Sequence, residues 1–179
     1  YLKKCDGFSH NIPPSYSLSN EYRVEILDSL RKSIEIKTRK AELLKPYDAF
    51  IKEMKSMKGT ILVIDGANAG RFEKGSQSSK QPDYKQILTL VKALPKGDHI
   101  KKVVVLNELH TNETQISREQ RPAFQQLKTM ARVFGSPRGV DDDIFSIAGA
   151  VCNDGAYLVT HDNLTNWIHF IKGRFQEWR

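Results

Sequence analysis

Four short apolar runs punctuate this chain: TILVI (60–64), KVVVL (102–106), ARVFG (131–135) and AYLVT (156–160). Between them lie stretches in which apolar residues recur at helical spacing. No other feature constrains the fold as much. A strand apolar on both faces has to be covered on both faces, and strands joined by helix-length crossovers run parallel. Ile87, Leu88, Val91 and Leu94 predict a helix from Asp83 to Leu94. Pro122 opens a second, with Phe124, Leu127 and Met130 on its apolar side. Ile144, Phe145, Ile147, Ala148 and Val151 predict a third, and NLTNWIHFI (163–171) starts a last one. The expected fold over 59–179 is therefore α/β: a parallel central sheet flanked by helices, in three Rossmann-like layers with right-handed crossovers.

Upstream the texture is helical. Tyr22, Ile26, Leu27, Leu30 and Ile34 predict a helix from Ser19 to about Leu44. Pro46 marks a break and suits the first turn of a second helix, whose stripe is Tyr47, Phe50, Ile51 and Met54 and whose end is Gly59. Residues 1–18, with Pro13-Pro14, read as an extended lead-in. The chain thus divides into the lead-in 1–18, a basic helical segment 19–58 that packs on the α/β region, and that region itself, 59–179. The polar stretches 71–82 and 107–121 are expected to be mobile. A length of 179 residues suits one domain with a small appendage. The chain begins with Tyr1, so a piece of a longer protein or a processed form is expected. No apolar run approaches the roughly 18 residues of a membrane helix, and no membrane partner is expected.

Lys and Arg number 28 against 21 Asp and Glu, a formal net charge of +7. That balance favours a polyanionic partner such as nucleic acid. Arg31, Lys32, Lys37, Arg39, Lys40 and Lys45 make 19–58 the most basic stretch, either a phosphate-facing surface or a solvated helical face.

Within this basic chain the acidic residues fall at telling places. Asp65 directly follows the first strand, Asp162 comes two residues after the last, and Asp141, Asp142 and Asp143 stand where a loop turns into a helix. In open α/β sheets ligands bind at the carboxyl ends of the strands. Three segments would therefore deliver carboxylates to one edge of the sheet. Taken singly, Asp65 or Asp141 can be a helix N-cap, and the triplet can simply complement a helix dipole. Taken together, clustered carboxylates repel each other without a cation, and hard ions such as Mg2+ or Mn2+ take oxygen ligands. Two such ions about 4 Å apart suit phosphodiester hydrolysis. Gly66 and Gly70 would let backbone approach a substrate, the Asn68 amide could hold a phosphate or a water, and His161 could touch substrate.

Other chemistries find no support. GANAG (66–70) lacks the spacing and the lysine of a phosphate loop, and no histidine stands in a Ser-His-Asp or Cys-His context. Cys5 and Cys152 give no disulfide framework and no complete four-ligand metal site. Cys152, in AGAVCN, reads as a small buried hydrophobe. Cys5 and His10 offer at most half a zinc site at a fraying terminus.

The stretches ILVIDGANAG, GVDDDIFSIAGAV and AYLVTHDNL resemble the metallonuclease domain of the protein-only ribonuclease P family, among the PIN-like NYN nucleases. The likeness covers about 60–178, and the basic helices and the closing FQEW are similar in layout. The resemblance implies an endoribonuclease that removes 5′ leaders from precursor tRNA and leaves a 5′ phosphate. By motif it makes Asp65, Asp142, Asp143 and Asp162 the catalytic and metal-holding aspartates, with Asp141 an extra and two Mg2+ or Mn2+ ions as cofactor. Asn68 and His161 would be substrate contacts. Asn166 and Trp167 depart from the Asp-His pair the family carries after its last aspartate. The resemblance also implies a structural zinc, towards which this chain offers Cys5 and His10, and a helical-repeat RNA-binding domain expected upstream. Animal members are mitochondrial and work with a tRNA methyltransferase and a short-chain dehydrogenase. Plant-type members act alone, and a nuclear setting is the alternative to the mitochondrial matrix. Two other readings stand beside this one: an NYN endoribonuclease degrading other RNAs, and an inactive RNA-binding or scaffold homologue.

Overall fold

The structure is a computed structural model that describes residues 18–71, 81–162 and 164. The lead-in with Cys5 and His10, residues 72–80, and the end of the chain with Asn166, Trp167, His169 and the expected last helix lie outside the described residues. Among the described residues no helix is long and apolar enough to cross a membrane.

Strands β1 (Thr60–Asp65), β2 (Ile100–Asn107), β3 (Arg132–Ser136) and β4 (Ala156–Val159) form a parallel sheet in the order β3-β2-β1-β4. The α/β fold expected from the alternation of strand and helix is present. Because strand side chains alternate, each central strand feeds two cores. Ile61, Val63, Val103 and Val105 pack with α1 (Asn20–Thr38), α2 (Leu44–Ser56) and α6 (Asp142–Val151). Ile64, Val104 and Leu106 pack with α4 (Tyr84–Ala93) and α5 (Arg121–Met130) on the other side. All residues from Ile144 to Val151 are buried, as a helix apolar all round demands. α6 lies between the sheet and the two N-terminal helices, and its ring contacts bind the layers. Phe145 stacks on Phe134 at 5.3 Å and meets Phe50 and Tyr47 edge-on at 5.4 and 5.7 Å.

Several boundaries differ from the sequence reading. The first helix stops at Thr38, not near Leu44. Arg39 takes a left-handed conformation (φ 53°) and donates its N–H to Glu35 O, a C-terminal cap that needs no glycine. A 3-10 turn, Ala41–Leu43, then leads into α2, which ends at Ser56 ahead of Gly59. α6 begins at Asp142, two residues before the expected start, because Asp141 caps it and draws the next two aspartates into the first turn. Residues 107–121 are not an open loop. They form a 3-10 turn, Glu108–His110, and a series of hydrogen-bonded turns around Ile116, which is 1% exposed. The buried Ile116, with the Tyr84 hydroxyl donating to His110 O and Gln120 Oε1 accepting from Tyr84 N, ties the segment to the core.

The topology places the site. The chain lays β1, β2 and β3 outward on one side, then returns to put β4 on the other side of β1. The crossovers therefore diverge between β1 and β4, and a crevice opens there at the carboxyl ends of the strands.

Candidate functional site

Asp65 is the last residue of β1 and is 5% exposed. By the alternation of β1 it falls on the same side as Ile61 and Val63, the side that α6 covers. Its oxygens have separate partners. Oδ1 accepts from Asn68 N at 2.9 Å, capping the short helix α3 (Gly66–Ala69), and Oδ2 accepts from the Thr160 hydroxyl at 2.9 Å. The capping role and the place in an acidic cluster therefore coexist in one residue.

The segment after β4 is tied to α3 by paired contacts. Beside the Thr160–Asp65 bond, His161 N donates to Asn68 Oδ1 at 3.1 Å. The Thr160 oxygen also accepts from Asp162 N at 3.0 Å, and Asp162 Oδ1 accepts from Leu164 N at 2.9 Å. Asn68 Oδ1 thus positions the backbone at His161.

From the other side comes α6. Asp141 Oδ1 accepts from Asp143 N at 3.2 Å, and Asp142 and Asp143 occupy the first turn. One oxygen from each of these three aspartates can lie within 4.8 Å of the others. A cavity of about 380 Å³ is lined by Asp65, Asp141, Asp142, Asp143 and Asp162 together with Ala67, Asn68, Arg71 and His161. All four aspartates singled out by motif, and the extra Asp141, border one space.

The electrostatics follow from this crowding. Burial pushes the Asp65 carboxyl above its ordinary range; the Asn68 N–H and the Thr160 hydroxyl pull it back, Asp162 raises it further and His161 lowers it. Asp142 is pushed to about 6, first by burial and then by the charge of Asp65, with Asp141 adding to the rise and Arg71 opposing it. The charge of Asp162 thus disfavours ionised Asp65, and the charges of Asp65 and Asp141 disfavour ionised Asp142. The donor set is all oxygen, partly buried and partly open, which fits a hard divalent cation and not a soft one.

Gly66 and Gly70, expected to ease backbone approach to a substrate, have a packing role within the protein. A Cβ on Gly66 would stand 2.7 Å from Val105 O, and one on Gly70 would stand 2.5 Å from Pro82 Cβ. Both glycines serve close packing inside the protein. Sequence reasoning also missed Thr160 and Arg71. Thr160 was visible only as the residue before His161-Asp162, and a hydroxyl 95 positions from Asp65 has no local signature. Arg71 stood at the head of a stretch read only as a polar loop.

No protein-family model matches this chain, and no curated protein matches it. Solved structures do. The Arabidopsis thaliana nuclear protein-only RNase P 2 superposes with a TM-score of 0.70 at 16% identity, over 92% of this chain and 34% of that one. A crystal structure of nuclear proteinaceous RNase P 2 from A. thaliana gives 0.69 and 18%, over 92% of this chain and 33% of that one. At such identity the likeness is one of fold. The chain spans about a third of the length of these neighbours.

Proposed function

We propose that this chain is the nuclease domain of a metal-dependent endoribonuclease that removes 5′ leaders from precursor tRNA. The observation that carries the reading is the cavity lined by Asp65, Asp142, Asp143 and Asp162 at the divergence of β1 and β4. The fold of the chain is similar to that of the Arabidopsis thaliana nuclear protein-only RNase P 2.

In this reading Asp65, Asp142, Asp143 and Asp162 hold Mg2+ or Mn2+, with Asp141 adding charge at the edge. Such ions, when bound, would neutralise the scissile phosphate and make water acidic enough to serve as nucleophile near neutral pH. The rest is the work of the chain itself. Thr160 and the Asn68 N–H fix both oxygens of Asp65, so that carboxylate needs no reorganisation when a cation arrives. The His161 N–H bond to Asn68 holds the β4 segment against α3 and keeps Asp162 at the cavity. In this reading the His161 side chain, which lines the same space, meets substrate phosphate.

The test is incubation of the full chain with precursor tRNA and Mg2+, alone and with a tRNA methyltransferase and a short-chain dehydrogenase as candidate subunits. One cut at the leader junction, lost in Asp142→Asn, is the expected result. Cuts scattered along unrelated RNAs would replace the tRNA reading with a broader endoribonuclease. RNA binding without cleavage under any of these conditions would leave only an RNA-binding homologue.

A further inference from the structure

Arg71 is the one arginine or lysine among the described residues lining the acidic cavity, which it shares with five aspartates. Its charge acts on both Asp142 and His110, lowering the pKa of each. Its side chain is nevertheless exposed, and none of the ion pairs among the described residues includes it.

The backbone beneath it is held firmly. Arg71 N donates to Asn68 O at 3.2 Å, Gly70 N donates to Gly66 O at 3.0 Å, and Asp83 N donates to Gly70 O at 2.8 Å. The contact of Gly70 with Pro82 leaves no room for a side chain there. A cation on fixed backbone, beside carboxylates yet in none of the ion pairs among the described residues, has donors to offer a third group. A phosphodiester entering this cavity meets strong negative potential, and a planar guanidinium can take two phosphate oxygens at once.

We infer that Arg71 is a substrate-binding residue that takes a non-bridging oxygen of the RNA phosphodiester entering the acidic cavity. The inference rests on the reading of that cavity as a phosphodiester-hydrolysing site. Arg71 offsets the repulsion between RNA and the aspartates on the side where the chain enters from α3.

The experiment measures affinity of the full chain for precursor tRNA as a function of salt. Arg71→Ala and Arg71→Lys are built on an Asp142→Asn background so that RNA is not consumed. Arg71→Ala is expected to weaken binding about tenfold, as loss of one hydrogen-bonded charge contact does. The slope of log affinity against log salt should become shallower by about 0.7 to 1. Arg71→Lys should keep the slope, and in the native background it should cut more slowly because the fork is lost. Thermal unfolding of each variant separates a lost contact from a lost fold, and Arg71→Lys decides the question where Arg71→Ala does not fold. If Arg71 were only a counter-charge for the aspartates, Arg71→Ala in the native background would bind Mn2+ more tightly, and on the Asp142→Asn background it would leave the RNA salt slope unchanged. That result overturns the inference. A wild-type protein that binds RNA without cutting it, while Arg71→Ala flattens the slope, sinks the nuclease reading and leaves Arg71 as a phosphate contact. A wild-type protein that does not bind RNA overturns both.

Discussion

The two ends of α6 are built in opposite ways. At its C-terminus Arg23, reaching across from α1, donates to Val151 O at 2.7 Å, to Leu18 O at 3.1 Å and to the Asp154 carboxylate. Asn153, just beyond the helix, donates to Met54 O at the end of α2. A cation thus meets the carbonyl end of α6, where its dipole favours positive charge, and the Asn153 amide ties that end to the last turn of α2. At the N-terminus three consecutive aspartates share one turn with Asp65 close by, and Asp142 is pushed to about 6. A dipole contribution of about 0.3–1 kcal/mol favours negative charge there but does not outweigh burial plus mutual repulsion. One end is relaxed and the other is loaded. The loaded end is tolerable because the relaxed end and the aromatic middle hold α6 in place.

The largest effect should come from the middle. Phe145 is fully buried, and Phe145→Ala should cost about 3–5 kcal/mol in urea unfolding. A cost below about 1 kcal/mol would mean that α6 is not anchored by its rings. Next is the relaxed end. Arg23→Met keeps the stem but leaves Val151 O without its charged donor. It should cost about 2 kcal/mol, seen as a lower midpoint of unfolding. Asp154→Ala should cost much less, because its side chain is 74% exposed and the pair is screened. Equal costs for the two would make the ion pair, and not the carbonyl contact, the anchor.

The loaded end gives an effect of opposite sign. Asp142 holds its proton up to about pH 6 when folded, against an ordinary value of 3.8. The folded state therefore binds more protons than the unfolded chain between about pH 4 and 6, and stability falls as pH rises through that window. The full shift corresponds to at most about 3 kcal/mol, and solvent at the cavity mouth reduces it to about 1–2 kcal/mol. Asp142→Asn should make the metal-free protein more stable than wild type at pH 7, with the gain vanishing below about pH 4. Mn2+ should raise the unfolding temperature of wild type and do so much less in Asp142→Asn. A wild-type stability flat across the window would show that the N-terminal end carries no electrostatic load.

The same contrast explains what the sequence could reveal. The strands, the two-sided burial and the helix apolar all round follow from local periodicity, which is a direct image of burial. The gathering of Asp65, the α6 triplet and Asp162 around one space follows from a topological rule, since each stands at the carboxyl end of a strand or the start of a helix at that edge. What was hidden depends on distant partners. Arg23 lies 128 positions from Val151, and as one basic residue in a basic helix it has no distinguishing pattern. Thr160 and Arg71 acquire their places only once β4 lies beside β1. The early end of α1 was missed for a different reason: an arginine in left-handed conformation carries the stop that glycine usually signals.

Asp141 gives the smallest effect and the finest test, because two contributions to it have opposite signs. Its side chain caps α6, and replacing a capping Asp by Ala costs about 0.5–2 kcal/mol. Its charge also adds to the rise of Asp142, so Asp141→Ala removes some repulsion. Asp141 is exposed, which screens that gain below the cost of the lost cap, so Asp141→Ala should lower stability by about 0.5 kcal/mol or a little more. Asp141→Asn keeps a capping oxygen and removes the charge. It should match or slightly exceed wild type in metal-free unfolding, and Asp142 should then release its proton at a lower pH. If Asp141→Asn lost as much as Asp141→Ala, the charge itself would be holding the helix start through the dipole, and the N-terminus of α6 would be no more loaded than its C-terminus.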